Sequence, residues 1–329
     1  MNIIVVGLGS MGKRRLRLLK NHYPNEKIFG VDNNVDRRKF SEEEYNIRAF
    51  SELKEALEAY TYDAAFVCTS PLSHNIIIST LLSQNIHVFS ELNLVTDGYV
   101  ENIDIADRNK LTLFLSSTAL YRKETQYIAK KVDEQKQMVC YNYHVGQYLP
   151  DWHPWEDYTN FFVKDKRTNG CREILAIEMP WIIKAFGEVE NLKVTSGKST
   201  NLDIDYDDFF MIQIKHKNGN VGSFIVDLIS REAVRKIEVF GEKLYIKWNG
   251  TPDSLQVKNI MTKELEAVNL YKKIDKLENY SSSIIENQYL DEINAFFNEM
   301  KGVKEAEYGF KQDMDTLRIL DRIEEISRL

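Results

Sequence analysis

Apolar residues fall along the first third of the chain in short bursts, with amphipathic stretches between them. NIIVV (2–6) is an unbroken apolar run closed by Gly7. From Met11 the apolar positions Leu16, Leu19 and Tyr23 recur at helical spacing with Arg and Lys outward, which predicts a helix. KIFGVD (27–32) predicts the next strand, and Ser51 stands where it would cap a helix whose face is Leu53, Ala56, Leu57 and Tyr60. DAAFVCT (63–69) predicts a strand that stops at Ser70-Pro71, because proline cannot continue a central ladder. SHNIIISTLLSQN (73–85) reads as a helix, HVFSE (87–91) as a strand, 98–110 as a helix and LTLFLS (111–116) as a strand. Alternating strand and helix with apolar strands predicts a parallel sheet covered on both faces.

Past Lys123 the pattern changes. Residues 125–137 read as a helix, and then strand-like runs dominate: QMVCYNYHVG (137–146), FFMIQIKH (209–216), VGSFIVDLIS (221–230), KIEVFG (236–241) and KLYIKW (243–248). Lys217-Asn218-Gly219-Asn220 joins two of them as a hairpin turn. Strands joined by short turns predict an antiparallel sheet. Amphipathic helices are expected near 284–300 and 309–328, where Tyr289, Ile293, Phe296 and Phe297 keep helical spacing. The expected fold is a Rossmann-type α/β domain with a doubly wound parallel sheet (1–120), followed by an α+β domain with a large, mainly antiparallel sheet (121–329).

Composition narrows the classes. The chain has 329 residues, enough for a large core, and 43% apolar content; its mean hydropathy of -0.40 is that of an ordinary soluble protein. It has no run of eighteen apolar residues, so no membrane partner is expected. MNIIVVGLG lacks a basic leading region and reads as a strand rather than a signal peptide. Cys68, Cys140 and Cys171 form neither a disulfide framework nor a C-x-x-C pair, which points to a reducing, cytoplasmic setting. A net charge of -7 argues against nucleic acid, and the basic cluster Lys13, Arg14, Arg15, Arg17 is too short to reverse that.

VVGLGSMGKRR matches G-x-G-x-x-G at Gly7, Gly9 and Gly12, directly after a strand and at the start of a helix. The three glycines suit a tight turn, close approach of backbone to a pyrophosphate, and helix–strand packing. Asp32 closes the second strand twenty residues after Gly12, where a carboxylate suits the ribose hydroxyls of NAD and repels the 2′-phosphate of NADP. Arg37 and Arg38 stand against a simple NAD preference, since either can swing toward such a phosphate. The alternative is a tight turn without a ligand, and a solvated arginine pair.

With these residues in place, the chain resembles the glucose–fructose oxidoreductase / inositol dehydrogenase family of NAD(P)-dependent enzymes. The resemblance rests on Gly7 to Gly12, on Cys68-Thr69-Ser70-Pro71 with His74, on Asp208-Phe209-Phe210 through Val221-Gly222-Ser223, and on Tyr289, Glu292 and Phe296. It implies NAD, with NADP as the alternative. The cofactor contacts expected are Gly7, Gly9, Ser10, Met11, Gly12, Asp32, Asn33 and Arg37, then Thr69, Ser70, Pro71, His74 and Glu91. The family usually reads Glu-Lys-Pro where this chain has Glu91-Leu92-Asn93; leucine cannot polarise a carbonyl or relay a proton as an ammonium does. On the family's substrate helix the usual histidine falls on Ile177, with Glu178 beside it and the acidic position near Glu173 or Ile174.

The stretch YHVGQYLPDWHPWEDY (143–158) carries two His, two Trp, three Tyr and three carboxylates. Aromatic faces stack on sugar rings and polar groups bind their hydroxyls, so this density suits a carbohydrate pocket. Its Gly-Gln-Tyr-Leu-Pro-Asp-Trp segment is similar to that of family members in nucleotide-sugar and sialic-acid-like biosynthesis. The expected proton-handling residues are His144, His153, Glu91 and Glu178; the expected substrate contacts are Asn93, Arg122, Tyr148, Trp152, Trp155 and Trp181. No metal is expected. The reading is an NAD(P)-dependent oxidoreductase of a sugar or amino-/nucleotide-sugar in surface-glycan metabolism, a homodimer or homotetramer assembled through the second sheet. The alternative is a binding protein without turnover, acting as a sensor or assembly subunit.

Overall fold

The structure is a computed structural model and describes residues 1–152, 156–277 and 283–327. The chain forms two compact units, Met1–Ser117 with Leu290–Asp315, and Thr118–Tyr289 with Thr316–Leu329.

The first unit runs β1 (Asn2–Val6), α1 (Ser10–His22), β2 (Lys27–Val31), α2 (Val35–Tyr45), β3 (Arg48–Phe50), α3 (Leu53–Ala59), β4 (Ala64–Val67), α4 (His74–Ser83), β5 (His87–Ser90), α5 (Tyr99–Asn109) and β6 (Leu113–Leu115). Its strands are all parallel in the order β3-β2-β1-β4-β5-β6. The chain winds outward from β1 in one direction and from β4 in the other. The carboxyl ends of β1 and β4 therefore flank the switch point, where ligands of such sheets bind. Unbroken apolar strands follow from burial on both faces: Ile3, Ile4, Val5 and Ala64 to Val67 are all buried. Neither α2 nor β3 was expected. Ser51 does not cap α3; its hydroxyl donates to Glu55 Oε2 at 2.8 Å instead.

The second unit contains α6 (Lys123–Asp133), β7 (Cys140–Gly146), α7 (Gly170–Phe186), β8 (Val189–Gly197), β9 (Phe209–His216), β10 (Val221–Asp227), β11 (Val234–Gly241), β12 (Leu244–Trp248), β13 (Gln256–Lys258) and β14 (Leu265–Ala267). The sheet order is β14-β13-β12-β11-β7-β10-β9-β8. All neighbours are antiparallel except β7 and β10, so the sheet is mixed at its centre. Successive β7 side chains take opposite faces. Tyr141 and Tyr143 pack on α7, through Phe186 (ring centroids 3.9 Å) and Trp181 (5.3 Å). Exposed Asn142 and half-buried His144 take the other face, where His144 lies in one row with exposed Lys236 and Met211, and exposed Phe240 pairs with Cys140.

Two helices close the chain, α8 (Asn287–Met300) and α9 (Phe310–Ile326). From Leu290 to Asp315 the chain rejoins the first unit. Phe66, Phe89 and Phe114 stand in register on β4, β5 and β6, and Phe296 of α8 sets its ring edgewise on all three, with centroids 5.5, 5.6 and 5.9 Å apart. Removing one such buried ring typically costs about 3–5 kcal/mol. No helix among the described residues is long and apolar enough to cross a membrane.

Candidate functional site

The glycine turn leaves β1 in the left-handed region, with Gly7 at φ +91°, and its N–H donates to the Val31 carbonyl at 2.7 Å. A Cβ on Gly12 would stand 1.9 Å from the Gly7 carbonyl oxygen, and one on Gly7 would meet the Cys68–Thr69 peptide at 2.8 Å. Side chains are thus excluded on both sides of the turn, which keeps bare backbone at the sheet's switch point. Helix α1 starts behind Gly9 with no side-chain cap and no acidic residue in its first turn. Its first N–H groups, beside exposed Ser10 and half-buried Met11, remain available to an anion. This is an observed cradle, and a dinucleotide pyrophosphate fits it.

Asp32 follows β2 and is buried at 8% exposure. Leu8 N–H donates to its Oδ2 at 2.7 Å and Asn34 N–H to its Oδ1 at 2.8 Å. The carboxylate is therefore held in one orientation by the backbone of the glycine turn and of the α2 entry. Asn33 beside it is exposed. Arg38 donates to the Asp32 carbonyl at 2.7 Å, and the Arg37 guanidinium lies 3.8 Å from Asp32 Oδ2.

Thr69, Ser70 and Pro71 form the loop after β4. Buried His74 braces it, with Nε2 2.9 Å from the Thr69 carbonyl and Nδ1 2.5 Å from the Asn93 side-chain amide. Burial lowers the His74 pKa, so the ring is neutral and carries one N–H. That N–H must be on Nε2, because a carbonyl only accepts; Nδ1 then accepts from Asn93. The two amide orientations are isosteric, and this one gives Asn93 Nδ2 a partner. His74, expected to contact cofactor, and Asn93, expected to contact substrate, form a brace between the β4 and β5 loops.

Glu91 is likewise engaged. Arg15, fully buried on α1, donates Nε to Glu91 Oε1 at 2.5 Å and Nη2 to Glu91 Oε2 at 3.2 Å. The same Nη2 reaches Glu292 Oε2 at 2.7 Å, while Ser116 hydroxyl and Ser117 N–H donate to Glu292 Oε1. HVFSE ends on a carboxylate because Arg15 is buried opposite it. Glu91 was expected to handle protons or touch cofactor; the structure shows both its oxygens held by one guanidinium. Sequence reading placed Arg15 in a basic cluster; its spacing from Gly12 and Leu19 puts it on the inward face of α1, and that signal was available.

In the second unit, Glu178 accepts from Tyr143 hydroxyl at 2.6 Å and Trp181 Nε1 at 2.7 Å, and pairs with Arg235 Nη2 at 2.7 Å. Glu178, expected as an acid–base group, and Trp181, expected as a substrate contact, are both buried and paired within this unit. Arg122 is also buried, donating to Glu124, the Ser283 carbonyl and the Gly250 carbonyl beneath Trp248, which leaves it no edge for a substrate. His144 pairs with Asp227 Oδ2 at 2.6 Å on the sheet face opposite α7. His144 and Glu178 therefore serve opposite faces and cannot share a site. Half-buried Tyr148 lies under Arg231 at 3.9 Å, and half-buried Trp152 donates to the Gln147 carbonyl with its ring at Gly170, the start of α7. His153 and Trp155 lie outside the described residues.

One group on α7, near the acidic position that the resemblance implies, stands out. Glu173, in the first turn, has its Oε2 buried with no hydrogen-bond partner, and burial pushes its pKa up to about 8. Ile177, one turn on, is half-buried and apolar.

A six-stranded doubly wound sheet with a bare glycine turn and an anchored acid after β2 defines a dinucleotide-binding protein. Residues 1–115 match the family described as "Oxidoreductase family, NAD-binding Rossmann fold". Human biliverdin reductase A is 26% identical over 132 residues, 40% of this chain and 44% of that protein; the match thus spans less than half of that relative. Two solved structures share the fold of the whole chain. Levoglucosan dehydrogenase, in complex with NADH and L-sorbose, is 14% identical with a TM-score of 0.80, covering 100% of this chain and 97% of that one. The WlbA dehydrogenase from Bordetella pertussis, in complex with NADH and UDP-GlcNAcA, is 14% identical with a TM-score of 0.75, covering 99% and 96%.

Proposed function

We propose that the protein is an NAD-dependent oxidoreductase that interconverts a hydroxyl and a carbonyl on a sugar or nucleotide-linked sugar. The carrying observation is the glycine cradle with Asp32 fixed beside it. Gly7, Gly9, Gly12 and the start of α1 hold the pyrophosphate, and Asp32 accepts from the ribose hydroxyls. When bound, the nicotinamide supplies the hydride acceptor or donor. The second unit's candidate proton-handling group is Glu173, whose Oε2 has no hydrogen-bond partner and whose pKa burial pushes up to about 8. Tyr148, Arg231 and Trp152 present aromatic and cationic surface to the sugar. Both fold neighbours above were solved with sugar-type ligands, L-sorbose and UDP-GlcNAcA, which supports that substrate class. The open sheet face carrying Met211 and Phe240 suits a second copy of the chain, and light scattering tests it.

The test is direct. Titration with NADH, followed by nicotinamide fluorescence, is expected to show saturable binding that Gly12→Ala abolishes. Among sugars and nucleotide sugars, turnover is expected to fall about a hundredfold or more in Glu173→Gln, with NADH affinity kept. Full turnover in Glu173→Gln moves the proton to His144 or His153. The second reading, binding without turnover, is favoured by half-buried Leu92 and Ile177 at positions where the family carries lysine and histidine. NADH binding with no turnover on any sugar tried supports it.

A further inference from the structure

We propose that the first unit carries a second small-molecule site, at the amino-terminal edge of its sheet, whose ligand is a zwitterion the size of one α-amino acid with an apolar side chain. The site does not depend on the cofactor reading. Strands β1, β4 and β5 run parallel, so their amino ends share one edge, and the glycine turn and the Thr69 loop lie at the other. At the amino edge a cavity of about 340 Å³ opens between the strand ends and the last turn of α8. That volume is at the low end for small-molecule pockets, which run from roughly 300 to 1,000 Å³.

Backbone bonds fix the strand side of the cavity. Asn2 N–H donates to Asp63 Oδ2 at 2.7 Å, Asp63 N–H to the Asn2 carbonyl at 2.9 Å, and His87 N–H to the Asp63 carbonyl at 3.2 Å. Asp63 Oδ1 is left without a partner among the described residues. Burial lowers the His87 pKa, so the ring is neutral. Its Nδ1 accepts from Thr112 N–H at 2.9 Å, which puts the proton on Nε2, again with no acceptor among the described residues. On the other side stand Phe297, Met300 and Lys301, three and four residues apart and so on one helical face. Exposed Lys301 makes no ion pair among the described residues. Buried Phe297 and Tyr62 and half-buried Met300 form an apolar wall; the Tyr62 hydroxyl donates to the Ala56 carbonyl at 3.1 Å, so Tyr62 offers its ring.

The charges select the ligand. Asp63 and Lys301 line one cavity, yet no salt bridge joins them. An anion alone meets the repulsion of Asp63, and a cation alone meets that of Lys301. A molecule carrying both charges satisfies both residues. Its carboxylate accepts from Lys301 and from His87 Nε2, its ammonium donates to Asp63 Oδ1, and its apolar side chain lies on Phe297, Tyr62 and Met300.

The experiment is calorimetric titration of the full chain with L-leucine, L-methionine and L-phenylalanine in turn. At least one is expected to bind saturably. Removing either charge from that ligand, as its N-acetyl derivative or as the amine without the carboxylate, should weaken binding about tenfold or more, as for loss of a charge-assisted bond. Lys301→Met and Asp63→Asn should each weaken it by a similar factor. Both positions are exposed, so both variants are expected to unfold in urea close to the unmutated midpoint, which separates a lost site from a lost fold. Three results overturn the inference: no saturable binding of any of the three amino acids, equal binding of the derivatives that lack one charge, or undiminished binding in Lys301→Met.

Discussion

Glu91 in the first unit and Glu173 in the second are carboxylates at the ends of regular elements, one after β5 and the other in the opening turn of α7. Their surroundings are opposite. Glu91 meets a guanidinium with both oxygens, and that guanidinium is itself shared with Glu292. Glu173 has an oxygen out of water with no donor. The first arrangement holds three segments of one unit together and leaves nothing for chemistry. The second is costly to the fold and leaves a proton that moves near neutral pH. Both are glutamates at the ends of regular elements, so what separates a paired carboxylate from an unpaired one here is the state of its partners.

Removing the guanidinium breaks the comparison most severely. Arg15→Ala leaves Glu91 and Glu292 buried without their counter-charge and is expected to cost about 3–5 kcal/mol or more, read from urea unfolding. The triple change Arg15→Met, Glu91→Leu, Glu292→Leu should recover most of that loss, because an apolar cluster of similar volume needs no counter-charge. If Arg15→Ala is neutral, the cluster does not hold the unit together.

The next effect is in pH. Burial raises Glu173 from 4.5 to about 8, so the folded state prefers the protonated form. Between those values the folded state holds more proton than the unfolded state, and stability falls as pH rises from about 4.5 to 8. Asp227 has the opposite sign. Burial opposes its ionisation, but bonds from His144, Ile229 and Ser230 outweigh it and lower its pKa. Its contribution is present above its unfolded pKa and lost as acid protonates it. Unfolding profiles across pH should therefore lose their neutral-range decline in Glu173→Gln and part of their acid decline in Asp227→Asn. A Glu173→Gln profile parallel to the unmutated one sinks the assignment.

The smallest effect is expected at His144. On the open sheet face, His144→Ala should change stability by less than about 1 kcal/mol and leave the Glu173-dependent slope in place. A large loss of turnover in that variant would put the reactive group on the other side of the sheet.

The parts legible in the sequence are those written in a few adjacent residues. Gly7, Gly9, Gly12 and Asp32 carry their geometry locally, and β9 shows its one buried face as alternation in FFMIQIKH. Helix α2 was missed because VDRRKFSEEEY buries only Ser41 and so has no apolar stripe. Helix α7 has the reverse problem: it is buried almost all round and contains Pro180, so no period stands out. Strand β8 is interrupted by a register shift between Val189 and Asn191. The fate of Glu91 depends on Arg15, 76 residues before it, and on Glu292 far beyond, and spacing cannot join residues so distant. Sequence alone sees the charge; only the fold supplies its partner.

The return of Leu290–Asp315 to the first unit has a consequence for the birth of the protein. On the ribosome, Phe66, Phe89 and Phe114 emerge long before Phe296, and Arg15 and Glu91 long before Glu292. At roughly 5–20 residues per second, the intervening 172 residues (118–289) take on the order of 10–35 s to synthesise. For that interval the nascent first unit presents an uncovered aromatic face and a half-matched charge, and the second unit is made while the first still waits. The glycine turn leaves the ribosome long before α8, yet the helix α1 behind it waits for Glu292 to complete its partners.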